Sequence, residues 1–321
     1  MTDRITRRLG RTRRDGRSSS AGVLMCAAAM AMLGVSVPVS RELTDYPAAT
    51  AQAARYGLAA LVLGAVTMLA SRRAPTPPPP TARQWALLVA MAATGLAGFN
   101  LALMLALRHA EPAAVAAVIG CVPLGLAVCG PLLRHRDPAP RIVLAALVVV
   151  AGTAVVHGSG HADVVGLAAA AAALAGDVAF SLMAARLSPV LGALRTATYG
   201  CALAVPLLAV VAVSAGEAAN LRAPDAAETA AIAFLAVGLT ALAFLLWFKG
   251  LSWAGVERAA VSVALVPLAA TATTAFMDAT LPSRGQVAGV VLVCLGLCAA
   301  LAAGRGPRPP HPVMPRPDAP V

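Results

Sequence analysis

Between its charged residues this chain is almost unbroken hydrocarbon. Reading from charge to charge gives ten apolar runs: Ala21–Ser40, Ala48–Ala70, Gln84–Leu107, Pro112–Leu133, Ile142–Val156, Val164–Ala185, Thr196–Ala215, Thr229–Phe248, Ala259–Met277 and Gln286–Ala303. A helix that crosses a bilayer needs about 20 predominantly apolar residues. Backbone polar groups find no water in lipid, so a spanning segment must be a helix or part of a closed barrel. The runs are continuous rather than alternating, and far too long for barrel strands. The sequence therefore predicts an all-α integral membrane protein with ten transmembrane helices, of which the fifth is the shortest.

Composition agrees. Charged residues make up 12% of the chain and hydrophobic ones 59%, whereas a soluble domain is about 25% charged. The net charge of +11 would suggest nucleic acid in a soluble protein, but here the basic residues sit between apolar runs and read as topology determinants. Twenty of the 25 Lys and Arg residues fall in the 1–20 tail, in alternate loops (Arg72, Arg73, Arg83, Arg134, Arg136, Arg141, Arg186, Arg195, Lys249, Arg258) or after residue 303. Four, Arg41, Arg108, Arg222 and Arg284, fall in the opposite loops. The positive-inside rule then puts both termini in the cytoplasm and requires an even number of helices. Ala-, Arg- and Pro-rich usage points to a GC-rich bacterial genome, so the expected location is the bacterial cytoplasmic (inner) membrane.

Shifting the sequence by about 144 residues aligns it with itself, as an internal duplication should. Leu107-Arg108-His109-Ala110 falls on Leu251-Ser252-Trp253-Ala254, Val122-Pro123-Leu124 on Val266-Pro267-Leu268, and Gly152 on Gly296. Five helices per half is an odd number, so the halves enter the membrane from opposite sides as two inverted five-helix repeats. The expected organisation is a basic, disordered cytoplasmic tail at 1–20, a first repeat at 21–157, a second at 163–303 and a Pro-rich cytoplasmic tail at 304–321. The Pro75–Pro80 stretch reads as an extended linker.

Several stretches together resemble the drug/metabolite transporter superfamily, in particular its ten-helix EamA-type members. They are Gly34-Val35-Ser36-Val37-Pro38, Arg55-Tyr56, the Ala106–Ala113 junction, Pro123 and Pro267, and Gly289 and Gly296. The resemblance covers about residues 21–303. Leu33, Gly176-Asp177-Val178 and Arg134-His135-Arg136 depart from the family pattern, and only the second half keeps an acidic residue at the corresponding place, Asp278.

No Ser, His or Asp spacing forms a catalytic constellation, and no Walker-type loop is present. The six cysteines lie inside apolar runs without metal-ligand spacing. The reading is thus not an enzyme, and no cofactor, metal or nucleic acid is expected. The expected function is a secondary, non-ATPase exporter of a small polar or amphipathic metabolite such as an amino acid, with lipid around it and a proton as candidate coupling ion. A membrane-embedded enzyme and a non-transporting scaffold are the alternatives.

The candidate substrate-binding or coupling residues are those a membrane should reject. An Arg or Asp at a helix centre costs about 2.5–3.5 kcal/mol on insertion scales. Arg55 either snorkels to the interface or faces a cavity, where it would attract an anionic group; the resemblance favours the cavity. Asp177 lies deeper and is too short to snorkel. It either pairs with Arg55 or carries a proton or a substrate ammonium. Asn100 would bond substrate or join helices. Tyr56 and Tyr199, within one residue of the repeat offset, either line the cavity or pack between helices. Glu111 and Glu257 suit helix starts, and His157 and His161 suit a polar outer loop. Pro123 and Pro267 should kink the fourth and ninth helices.

Overall fold

A computed structural model describes residues 20–303 apart from 37–38, 72–77, 111, 134, 158–162, 264, 278 and 280–282. The expectations for both tails, most of the Pro75–Pro80 linker, Glu111, Arg134, His161 and Asp278 therefore lie outside the described residues, as do those for the side chains of His157 and Glu257. Among the described residues ten main helices follow in order, two of them each in two pieces, with short 3-10 turns at Ser40–Leu43 and Glu217–Asn220, and no strand forms. They are α1 Ser20–Ser36, α2 Ala48–Ser71, α3 Ala82–His109, α4 as Pro112–Ile119 and Val122–Leu132, and α5 Pro140–His157. The second set is α6 Val164–Leu191, α7 Ala193–Ser214, α8 Ala226–Ala254, α9 as Val256–Ser262 and Leu265–Met277, and α10 Arg284–Ala303. Six (α2, α3, α4, α6, α7 and α8) are long and apolar enough to span a membrane, and α1, α5, α9 and α10 carry shorter apolar stretches.

Local chemistry sets the ends. Thr81 and Gln84 close a capping box at the start of α3, and Asp225 and Glu228 close another at the start of α8. Each residue of the second box lies 144 positions after its counterpart in the first. The expected sixth and eighth spans, Val164–Ala185 and Thr229–Phe248, prove too short, because Arg186 and Lys249 ride on helix rather than in loops. Their long stems let the charge reach the interface without ending the helix. The actual stops are Gly192 (φ 84°) and Gly255 (φ 81°), left-handed positions that glycine takes without a Cβ penalty. The prolines act as expected. α4 breaks at Gly120–Cys121, leaving Pro123 in the first turn of the second segment, where its missing N–H costs nothing. α9 breaks at the equivalent place, ahead of Pro267.

Inversion is visible in close contacts. α5 packs along α10, α2 along α7 and α3 along α6. Gly152 lies against Val293, and Gly296 lies against Val149. These contacts are images of each other under the 144-residue shift, with the roles of the helices exchanged. Such an exchange between antiparallel helices requires a two-fold axis that reverses helix direction, hence one in the membrane plane. Gly22 of α1 meets Trp253 and Ala254 of α8, while Gly166 of α6 meets His109 at the end of α3 and the adjoining Ala110, again at that shift. Small residues recur at these crossings because helices in lipid associate through close packing rather than hydrophobic exclusion.

Candidate functional site

α3 and α8 are not regular throughout. Each contains a π-helical stretch, Ala93–Gly98 in α3 and Leu235–Leu242 in α8, at corresponding places in the two repeats. A π-turn inserts an extra residue and so redirects side chains and carbonyls, which is why such turns collect at functional sites. Both stretches wall a cavity of about 150 Å³. Its lining also includes Ala29, Met30 and Leu33 of α1, Arg55 and Tyr56 of α2, Phe99 of α3 and Val122 of α4. Asp177 and Phe180 of α6, Ala243, Phe244 and Trp247 of α8, and Val263 of α9 complete it. A cavity of this volume holds a molecule of about the size of benzene.

Arg55 does not snorkel. Its Nε donates to Thr240 Oγ1 at 2.6 Å and its Nη1 to Gln52 Oε1 at 3.0 Å, and its Cζ lies 5.0 Å from the centre of the Tyr56 ring. Thr240 is fully buried on the π-turn of α8 and passes its own proton to the Leu235 carbonyl at 3.0 Å. Arg55 is thus fastened across the repeat interface, with Nη2 as the guanidinium nitrogen that has no protein partner among the described residues.

Asp177 reaches the same cavity from α6. It forms no ion pair with Arg55, and no described protein group hydrogen-bonds its carboxylate. The helix comes close enough to do this because Gly176 precedes it: a Cβ there would stand 2.6 Å from the Thr94 carbonyl oxygen, on the π-turn of α3. On that same turn, Gly95 gives way to Phe180, the ring next to Asp177 in the lining. Phe180, Phe244 and Phe248 form a packed cluster, with neighbouring centroids 5.4 and 5.5 Å apart, and Tyr56 joins it through Phe244 at 6.4 Å.

Of the residues singled out from the sequence, Arg55, Tyr56 and Asp177 come together in this cavity. Asn100 stands one step behind. Its Nδ2 donates to the Leu96 carbonyl at 2.6 Å, and its amide faces the Tyr56 hydroxyl. Tyr199 stands elsewhere: its ring packs on Trp85 at 5.0 Å and its hydroxyl accepts from Arg195 at 3.3 Å, near the start of α7. Sequence reasoning missed Thr240, the phenylalanines and Trp247. The only signal for Thr240 was a hydroxyl in an apolar run; the clustering of a scarce residue type could have pointed to the aromatics.

Polar ties hold the helix ends that carry the site. Glu217, in the α7–α8 connection, accepts from the Ala49 and Thr50 amides at 2.9 and 2.8 Å and so caps α2, where a negative charge suits the helix dipole. Arg222 pairs with Glu228 and covers the Tyr46 ring at 5.2 Å. In the loop before α6, Asp163 accepts from the Gly166 amide at 2.7 Å and sits 2.9 Å from His109 Nδ1. The Gly166 amide and then the His109 ring hold the Asp163 carboxyl below its ordinary value.

Comparison with known proteins gives the same architecture. The EamA-like transporter family matches twice, over residues 20–158 and 162–302. An uncharacterized transporter of Bacillus subtilis (strain 168), YetK, is 22% identical over 252 residues, which is 76% of each chain. A solved structure described only as the crystal structure of a protein superposes with a TM-score of 0.75 at 22% identity, covering 89% of this chain and 98% of the other.

Proposed function

The chain belongs to the EamA-like transporter family of the drug/metabolite transporter superfamily, a multi-pass membrane transporter, and from this membership we propose a secondary exporter of a small zwitterionic metabolite such as an amino acid, driven by a proton. One observation carries the reading. Two opposite charges share a small apolar cavity between the repeats and do not neutralise each other. A purely structural Arg–Asp pair would be expected to close on itself, since each ion offsets the other's desolvation. Here Arg55 keeps Nη2 for an anionic group, and Asp177 keeps its whole carboxylate for a cationic one. A carboxylate and an ammonium on one small molecule satisfy both.

The same geometry suggests the coupling. A proton and a substrate ammonium compete for one carboxylate, so Asp177 carries one or the other, never both. Substrate leaves with the ammonium on Asp177, and the empty carrier returns with a proton there. Alternating access would come from rocking one repeat against the other about the midplane site. The arginine bias supports both termini lying in the cytoplasm of a bacterial cell, with the repeats read as 21–157 and 163–303.

The test uses the purified full chain in proteoliposomes loaded with an equimolar mixture of the twenty common L-amino acids. An imposed proton gradient should drive efflux of a subset, measured by mass spectrometry. Asp177→Asn and Arg55→Gln should each abolish the driven flux. Flux equal to the parent in both variants would overturn the site.

A further inference from the structure

Four threonines inside α2, α3 and α7 give their hydroxyl protons to the carbonyl four residues back: Thr67 to Leu63, Thr94 to Ala90, Thr196 to Gly192 and Thr198 to Leu194. This is the ordinary habit of a helical threonine. Thr240 departs from it. Its proton goes to the carbonyl five residues back, Leu235, a reach that belongs to the π-turn. The oxygen is thereby swung to where it accepts from Arg55 Nε at 2.6 Å. The direction of both bonds is forced, because a guanidinium only donates and a carbonyl only accepts. Thr240 is fully buried, so no water competes for the oxygen.

Arg55 therefore has three anchors: Thr240 on Nε, Gln52 on Nη1 and the face of Tyr56. Gln52 and Tyr56 move with Arg55 on α2. Thr240 alone of the three belongs to the other repeat. We propose that Thr240 is the positioning residue of the site: its hydroxyl aims the guanidinium so that Nη2 meets the carboxylate of a bound substrate, and thereby makes a carboxylate a requirement for transport. The assignment rests on the reading that Arg55 receives the substrate carboxylate. It also gives the π-turn of α8 a purpose, since a regular turn would point the hydroxyl back along its own helix.

The experiment compares Thr240→Val, which keeps the shape and loses the hydroxyl, with Thr240→Ser, which keeps the hydroxyl. The proteoliposome assay with the twenty-amino-acid mixture supplies KM and maximal rate for the amino acid exported fastest. Thr240→Val should raise KM on the order of tenfold with the maximal rate within a factor of two or so, as expected for a lost hydrogen bond to a charged group. Thr240→Ser should restore KM. In an Arg55→Lys background, which has no Nε–H to place on the hydroxyl, Thr240→Val should add nothing further. Should Thr240→Val fail to accumulate as folded protein, Thr240→Cys, with its weaker hydrogen bond, takes its place and should fall between parent and the expected tenfold loss. Parent-like KM in the hydroxyl-deficient variant, an equal defect in Thr240→Ser, or additive effects with Arg55→Lys would overturn the assignment. Failure of the underlying reading looks different: Arg55→Gln itself would transport like the parent, or the parent would move no amino acid.

Discussion

Replacing Asp177 with asparagine separates a working carboxylate from a structural one. If Asp177 were half of a buried ion pair, the change would strand Arg55 and cost about 3–5 kcal/mol. The structure argues for the opposite balance. The carboxylate has no described protein partner, and Arg55 is already held by Thr240 and Gln52, so no favourable contact is lost. What is lost is the penalty of about 2.5–3.5 kcal/mol for a charged aspartate deep in a spanning helix. The neutral amide is nearly the same size and leaves the fit of Gly176 against Thr94 untouched. Asp177→Asn should therefore insert at parent levels and unfold in detergent at the parent temperature or a few degrees above it. Proton-driven amino-acid efflux should fall to background. Thermal unfolding followed by size-exclusion chromatography reads the first quantity, and proteoliposome flux the second. A drop in stability of several kcal/mol, with flux surviving in the folded fraction, would refute the reasoning and return Asp177 to a structural role.

Gly152→Ala should destabilise the α5–α10 crossing by about 1–3 kcal/mol, because its Cβ would stand 2.7 Å from the Val293 backbone nitrogen, which cannot turn aside. Gly296→Ala, the symmetry-related change, should cost less, its nearest backbone atoms being 3.0 Å away; thermal unfolding of both variants checks the order. The Asp163 carboxyl is held below its ordinary value, so its contribution to the start of α6 is fully present above the unfolded value of about 4 and is lost as pH falls through the lower folded one. Amide-exchange protection at residues 165–167 should fall in that acid window, and Asp163→Asn should remove the pH dependence. Reporter fusions after Arg73, after Arg136 and at Val321 should report cytoplasm, and one between His157 and Asp163 should report outside; one reversed result breaks the topology.

The span count, the inverted repeat and the two charged residues of the cavity wall, Arg55 and Asp177, were legible because each depends on a one-dimensional signal. Spans depend on run length, inversion on an odd helix number, and the charges on their cost in lipid. The π-turns of α3 and α8 were not legible, since Ala93–Gly98 and Leu235–Leu242 read as ordinary apolar helix. Thr240 inherits that silence. Its role depends on a hydroxyl rotated by the π-turn, and in sequence it looks like any small polar residue at a helix crossing. Tyr199 illustrates the precision the offset demands. It lies 143 residues after Tyr56, not 144, and one residue turns a helical side chain by about 100°. That slip carries it from the cavity side to the Trp85 face.

The repeat axis explains why the polar groups matter more than their number suggests. Positions related by 144 residues recur in the cavity wall: Gly95 with Leu239, Phe99 with Ala243, and Leu33 with Asp177. The scaffold thus offers the same wall twice, once from each side of the membrane, as a carrier that rocks between two states requires. The charges are not duplicated. Asp177 faces a leucine at its related position, and Arg55 corresponds to Tyr199, which is turned away. A symmetric pair of charges would bind a substrate equally well in two opposite orientations. On the proposed reading, one cation on α2 and one anion on α6 would bind it in a single orientation, each end staying with the same residue throughout the cycle. Exchanging the charges in the double variant Arg55→Asp, Asp177→Arg should therefore not restore flux. Arg55 is held by the Thr240 hydroxyl and by Gln52 one turn back on its own helix, and an arginine at position 177 would approach from α6 without that Gln52 anchor. Parent-like efflux by the swapped protein would mean that charge balance alone, and not the asymmetric anchoring, makes the site.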